Sequence, residues 1–195
     1  MIDLNDEYYV LEPDNNNSFP MIGASIRPKS LGEVVRGEYS LNLYLDDPVP
    51  QKPEFVDFHT SGSAPVVSKA MKDLLEPLGI FGIQFLKGTK GDVIEDLELD
   101  YYLLHIYSRI VCVDRKKSDI DEDEKGGYVS DVKSLIIDSE ALLKTPEKNR
   151  LIFKVREYGV IQLFHKTIVD VIESAGLKGL RFIPVKKWND NAAFH

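Results

Sequence analysis

The chain has 195 residues, 24 Lys+Arg against 32 Asp+Glu (net −8), 43% hydrophobic residues and one cysteine. A polypeptide of this length and apolar content builds its own core as one domain or two small ones, and wholesale disorder is excluded. The lone Cys112 excludes an internal disulfide and a cysteine zinc cage, no apolar run approaches the ~20 residues of a membrane helix, and the acidic balance argues against general nucleic-acid binding.

The N-terminus is acidic, with five acids and no base in residues 1–26, and lacks the basic and apolar regions of a signal peptide. A soluble, cytoplasmic protein is expected, with no membrane partner. Residues 13–20, Pro-Asp-Asn-Asn-Asn-Ser-Phe-Pro, read as a loop, and Pro48, Pro50 and Pro53 mark a second. A division follows into an N-terminal acidic segment of strands and loops (1–52), an α+β domain (53–188) and a loose tail (189–195).

Ser63 as N-cap and Pro65 in the first turn predict a helix, whose stripe is Val67, Ala70, Met71, Leu74, Leu75 and Leu78. Pro77 and Gly79 stop it, and residues 82–86 alternate as a strand. Residues 99–113 read as one or two strands, 118–127 as an acidic loop, 132–137 as a strand and 141–143 as a helical turn. Residues 151–155 and 160–164 read as strands joined by a turn. A second helix covers 167–175, with Ile168, Val171, Ile172 and Ala175 on one face, and a strand follows over 180–185. The fold class expected is α+β with a mainly antiparallel sheet.

An internal echo runs through this order. Gly79-Ile80-Phe81-Gly82-Ile83-Gln84-Phe85-Leu86 matches Gly176-Leu177-Lys178-Gly179-Leu180-Arg181-Phe182-Ile183, 97 residues on. The preceding helices align as well, Met71 with Ile168 and Leu75 with Ile172. Two pseudo-repeated helix–strand units account for this; so does reuse of the same turn chemistry, a left-handed glycine cap and then a tight turn.

No catalytic pattern emerges. His59 lies near Ser61 and Ser63, but no G-x-S-x-G elbow surrounds them. His105 sits in an apolar strand and His165 at a helix start, where packing or capping is the simpler role. Asp119-Ile120-Asp121-Glu122-Asp123 imitates the start of an EF-hand loop, but Glu124 stands at the glycine position and Ser130 at the final glutamate. Lys87 to Gly91 lacks phosphate-loop spacing. No metal, cofactor or catalytic residue is expected.

The charge is uneven. Residues 92–124 carry eleven acids and four bases, and residues 141–195 five acids and ten bases. An acidic block of this kind is either a solvated loop or a face that docks a basic partner.

Three stretches carry a family resemblance. They are Phe55-Val56-Asp57-Phe58-His59-Thr60-Ser61-Gly62-Ser63-Ala64-Pro65-Val66-Val67-Ser68, then Tyr101 to Ile106 with Ile110 to Ser118, and finally Gly176 to Val185. In that order they resemble the eleventh family of bacterial polymorphic-toxin immunity proteins, over about residues 53 to 188. The Gly-x-x-Gly-apolar-Arg-Phe-Ile-Pro-Val string is the most specific part. The resemblance implies a non-enzymatic protein that binds and silences a cognate toxin. It carries no fixed toxin-contacting residues.

An acidic protein of this kind suits a basic toxin, such as a nuclease whose Lys and Arg line a substrate groove. The candidate partner-binding residues are Asp92, Glu95, Asp96, Glu98, Asp119, Asp121, Glu122, Asp123 and Glu124. Tyr101, Tyr102 and Tyr128 are added as exposed aromatic anchors. The alternatives are a small enzyme built between the two helix–strand units, or a regulatory binding module.

Overall fold

A computed structural model describes residues 3–27, 32–62, 64–88, 100–122 and 129–191. Through these the chain forms β1 (Tyr8–Pro13), β2 (Ile22–Arg27), β3 (Ser40–Leu45), β4 (Phe58–Ser61), β5 (Ala64–Ser68), α1 (Lys69–Leu75), β6 (Ile83–Lys87) and β7 (Tyr101–Ile106). Then come β8 (Arg109–Ile110), β9 (Asp119–Glu122), β10 (Val129–Ser134), α2 (Ser139–Leu143), β11 (Ile152–Val155), β12 (Gln162–His165), α3 (Lys166–Ser174) and β13 (Leu180–Pro184).

The architecture is α+β and mostly antiparallel. Among the described residues, β13-β1-β12-β11-β8 form one sheet, antiparallel except where β8 meets β11, and β4-β5-β7-β6 form a second. β2–β3 and β9–β10 are separate two-stranded ribbons.

Side-chain alternation sorts these elements into layers. On β1, Tyr8 and Val10 face a core closed by Val129 and Val132 of β10 and Leu142 of α2, while Tyr9 and Leu11 face a central core. On β7, Tyr102 and Leu104 face the same central core, while Tyr101 and Leu103 face a third, closed by Ile22, Leu41 and Leu43 of the β2–β3 ribbon. The two helices fill the centre, α1 with Met71 and Leu75, α3 with Ile168, Val169 and Ile172. The order is therefore ribbon, sheet, helices, sheet, ribbon. A strand buried on both faces has no polar alternation, which is why Tyr-Tyr-Val-Leu and Tyr-Tyr-Leu-Leu read as continuous apolar runs. At roughly 1.5–3 kcal/mol for each large apolar side chain buried, β1 is a main contributor to two cores. It lies between β12 and β13, although the sequence groups it with the N-terminal segment.

The expected helix over 63–78 starts late. Residues 64–68 are strand β5, and the helix begins at Lys69, where Ser68 accepts the Met71 N–H at 3.2 Å. Val66 and Val67 are both fully buried, one on each side of the sheet, and β-branched side chains favour that pleated setting. Pro65 lies opposite Thr60, one residue before the β5–β7 ladder begins at Val66. Ser63, the expected cap, lies outside the described residues.

The expected acidic loop 118–127 differs too. Residues 119–122 form strand β9, with Ile120 turned to the core beside Val132. The strand expected over 132–137 is displaced three residues toward the N-terminus, as β10 (Val129–Ser134). The elements from residue 139 onward match the sequence reading to within two residues, and Gly79 (φ +60°) and Gly176 (φ +67°) are left-handed as expected.

A candidate partner-binding face

Ribbon β9–β10 carries Asp119, Asp121 and Glu122 of the acidic block, whereas Asp100 and Asp114 lie outside it. Its pairs are Val129 with Glu122, Asp131 with Asp121, Val132 with Ile120 and Ser134 with Asp119. With Ile120 and Val132 held inward, the carboxylates of Asp119 and Asp121 are left outward and exposed. Asp121 pairs with Lys133 at 3.1 Å and Glu122 with Arg115 at 2.7 Å. Asp119 enters no ion pair among the described residues. Exposed pairs of this type contribute about 0–1 kcal/mol, so they leave the acids available to a partner.

Other expected site residues do not join this face. Tyr101 and Tyr102 are 6% and 9% exposed, which corrects their assignment as exposed anchors. Tyr101 gives its phenol proton to the Val56 carbonyl at 2.7 Å, and burial pushes its pKa up. The Tyr102 ring lies under Lys72 of α1, 5.4 Å from Nζ. Asp92, Glu95, Asp96, Glu98, Asp123, Glu124 and Tyr128 lie outside the described residues.

Beside the ribbon, a groove of about 710 Å³ runs to α2. Asp3, Asp114, Asp138 and Glu140 line it together with Arg115, Lys116, Lys117 and Lys186. Lys117 pairs with Asp114 at 3.0 Å and Lys186 with Asp3 at 3.1 Å, so the groove has no sign of charge to select an ion.

The described histidines are pinned to neighbouring groups. His59 Nε2 accepts the Val56 N–H at 3.0 Å, so Nδ1 carries the proton and donates to the Pro20 carbonyl at 2.7 Å. Burial lowers its pKa. Ser61 gives its hydroxyl to Asp46 at 2.5 Å, so the Ser–His pairing imaginable in the sequence is not made. His105 Nε2 donates to the Glu33 carbonyl at 2.8 Å. His165 caps α3 through the Thr167 N–H. Cys112 is fully buried, and burial pushes its thiol pKa up, away from the reactive thiolate.

The structure adds acids that are not grouped along the chain. Asp131 stands opposite Asp121 and lines one cavity with Glu12 of β1 and Asp190 of the C-terminal segment. Linear spacing carries no signal for them, since they belong to three separate parts of the chain.

No helix among the described residues is long and apolar enough to cross a membrane. No curated protein matches the sequence. The model of the Immunity protein family (Imm11) matches residues 6–187, so the match takes in β1 and the ribbon β2–β3, well before residue 53. By a match over nearly its whole length, the chain belongs to the Imm11 immunity protein family.

Proposed function

We propose that the protein acts without catalysis, in the cytoplasm, by binding a cognate toxin whose substrate groove is basic, a nuclease, and occluding that groove. Family membership supports toxin immunity. The observation that carries the finer reading is the outward carboxylate row of the β9–β10 ribbon, with Asp119 and Asp121 exposed. Carboxylates so placed imitate a phosphate backbone, steer a basic partner and form charge-assisted hydrogen bonds with its Lys and Arg. Asp119, Asp121 and Glu122 belong to the proposed face, and Asp92, Glu95, Asp96, Glu98, Asp123, Glu124 and Tyr128 extend it in sequence. The test is co-expression with the toxin encoded beside this gene. Loss of toxicity with a stable complex and inhibited nucleic-acid cleavage is expected; continued killing would reject immunity, and protection from a toxin that cleaves no nucleic acid would reject the nuclease.

We also propose that the chain is two tandem pseudo-repeats that have exchanged their first strands. Supporting this, β5–α1–β6 and β12–α3–β13 correspond at positions 97 apart (Ser68 and His165, Lys69 and Lys166), and β1 and β7 at positions 93 apart (Tyr8 and Tyr101). Pairing follows the correspondence. Val67 pairs with Tyr102 as Phe164 pairs with Tyr9, and Phe85 with Leu104 as Phe182 with Leu11. The Lys69 amide donates to the Asp100 carbonyl (2.9 Å) as the Lys166 amide donates to that of Glu7 (2.7 Å). The Tyr107 amide reaches the Gly82 carbonyl (2.8 Å) as the Asp14 amide reaches that of Gly179 (2.9 Å). In this reading each half lends its first strand to the centre of the other's strand–helix–strand unit.

A further inference from the structure

Where β1, β10 and the turn before β12 meet the C-terminal segment, the fold leaves a pit of about 210 Å³. Trp188, Tyr158 and Val160 are among its apolar walls, and Val160 stands 53% exposed. Small-molecule sites usually occupy about 300–1,000 Å³, so this pit is sized for a single side chain.

Charge decides which side chain. Glu12, Asp131 and Asp190 line the pit, and among the described residues no lysine or arginine does. Glu12 accepts the Trp188 indole N–H at 2.8 Å, Asp131 the Val132 N–H at 2.9 Å and Asp190 the Asn191 side-chain N–H at 2.9 Å. None of the three enters an ion pair among the described residues. Arg181, opposite Glu12 on β13, gives its Nε–H to the Pro13 carbonyl, and Lys133 pairs with Asp121. Lys133 also lies within electrostatic reach of Asp131, but three carboxylates round an apolar-walled concavity still outnumber it and focus a negative potential there.

We infer that this pit receives an arginine side chain of a basic protein partner. A guanidinium forks to carboxylates and is weakly hydrated enough to rest against apolar walls such as those of Trp188, Tyr158 and Val160, whereas an ammonium is a more strongly hydrated point charge. The position agrees with the proposed docking face, because Asp131 is the register partner of Asp121 on the acidic ribbon. The identity of the partner rests on the immunity reading; the arginine pit does not.

Trp188 is the only tryptophan of the chain, so its fluorescence reports on the pit. The probe is a blocked Gly-Arg-Gly peptide, with the uncharged Gly-citrulline-Gly peptide as its control. Saturable binding of the arginine peptide is expected with a dissociation constant on the order of 1–10 mM, as one anchoring side chain allows. The Asp131→Asn/Asp190→Asn variant keeps the acceptor oxygens and should weaken it about tenfold. The single exposed change Asp190→Asn serves as a second variant should the pair disturb folding. No saturation below about 50 mM, an equal response to the citrulline peptide, or binding unaffected by the variants would overturn the inference. If co-expression protects cells but the peptide fails, the pit is wrong and the immunity reading stands. If the peptide binds and co-expression does not protect, the reverse holds.

Discussion

Tyr8 and Tyr101 open strands in different sheets and make the same pair of contacts. Tyr8 lies opposite His165, the cap of α3, and Tyr101 opposite Ser68, the cap of α1. Each is buried and gives its phenol proton to a main-chain carbonyl, of Arg150 at 3.2 Å and of Val56 at 2.7 Å. Removing either hydroxyl strands a buried carbonyl at a cost of about 1–3 kcal/mol. Tyr8→Phe and Tyr101→Phe should both lower the urea midpoint without changing the slope, with the larger loss at Tyr101, where the bond is shorter. Equal midpoints for wild type and both variants would show that the hydroxyls contribute nothing.

If each half lends its first strand to the other, neither half completes its own sheet. A chain cut between residues 94 and 95 leaves β12 and β13 in one fragment and β1, which belongs between them, in the other. Each fragment alone should show no cooperative thermal transition, and the two mixed should form a one-to-one complex that unfolds as a unit. A cooperative transition from either fragment by itself would count against the exchange.

The second half of the chain was the more legible. Helix α3 announces itself by a clean apolar stripe, and Gly176 and the flanking turns bound β11, β12 and β13. The start of α1 misleads because Pro65 suits a first helical turn and Val67 falls in line with Ala70 and Met71, although both residues belong to a two-sided buried strand. Pairing of β1 with β12 joins residues more than 150 positions apart, which no local periodicity encodes. The outward acids of β9 were legible as charge. The pit was not, because Glu12, Asp131 and Asp190 meet only through that long-range pairing.

The paired glycines differ in what they tolerate. Gly79 and Gly176 have positive φ with open space around the missing Cβ, so alanine there costs only the left-handed strain, about 1–2 kcal/mol. Gly82 (φ +90°) would place a Cβ 2.3 Å from that of Ser108, and Gly179 (φ +87°) would place one 2.7 Å from the Phe58 carbonyl oxygen. A backbone oxygen yields least, so Gly179→Ala should be the most damaging of the four and Gly82→Ala next. With about 2–4 °C lost per kcal/mol in a chain of this size, calorimetry resolves this order, and a uniform small loss across the series would contradict it.

Burial lowers the pKa of His59, His105 and His165 below the ordinary histidine value of 6.5. The native state therefore binds fewer protons than the unfolded chain between those lowered values and 6.5. The stability that these groups contribute is full above about pH 6.5 and is lost as pH falls through their folded pKa values. Asp3, held at about 2 by its hydrogen bonds to Asn5 and by Lys186, titrates well below this window. The urea midpoint should drop between about pH 7.5 and pH 5.5. His165→Asn, which retains a good helix cap without titrating there, should make the drop shallower. A midpoint that holds or rises on acidification would reverse the sign.

Charge reversal on the ribbon separates docking from folding. The ion pairs of Asp121 and Glu122 are exposed and contribute about 0–1 kcal/mol each, and Asp119 has none among the described residues. Asp119→Lys, Asp121→Lys and Glu122→Lys together should therefore leave the fold intact, as a nearly unchanged melting temperature would show. Association with the toxin should slow by about tenfold or more at low ionic strength, because steering depends on the summed field. The difference from wild type should shrink as salt shortens the screening length from about 10 Å at 0.1 M to about 3 Å at 1 M. Cells carrying the variant should lose protection against the toxin in step with the slower association. Unchanged rates and protection in a folded variant would move the docking face elsewhere, whereas slowed association that salt does not erase would mean the substitutions act by shape and not by charge.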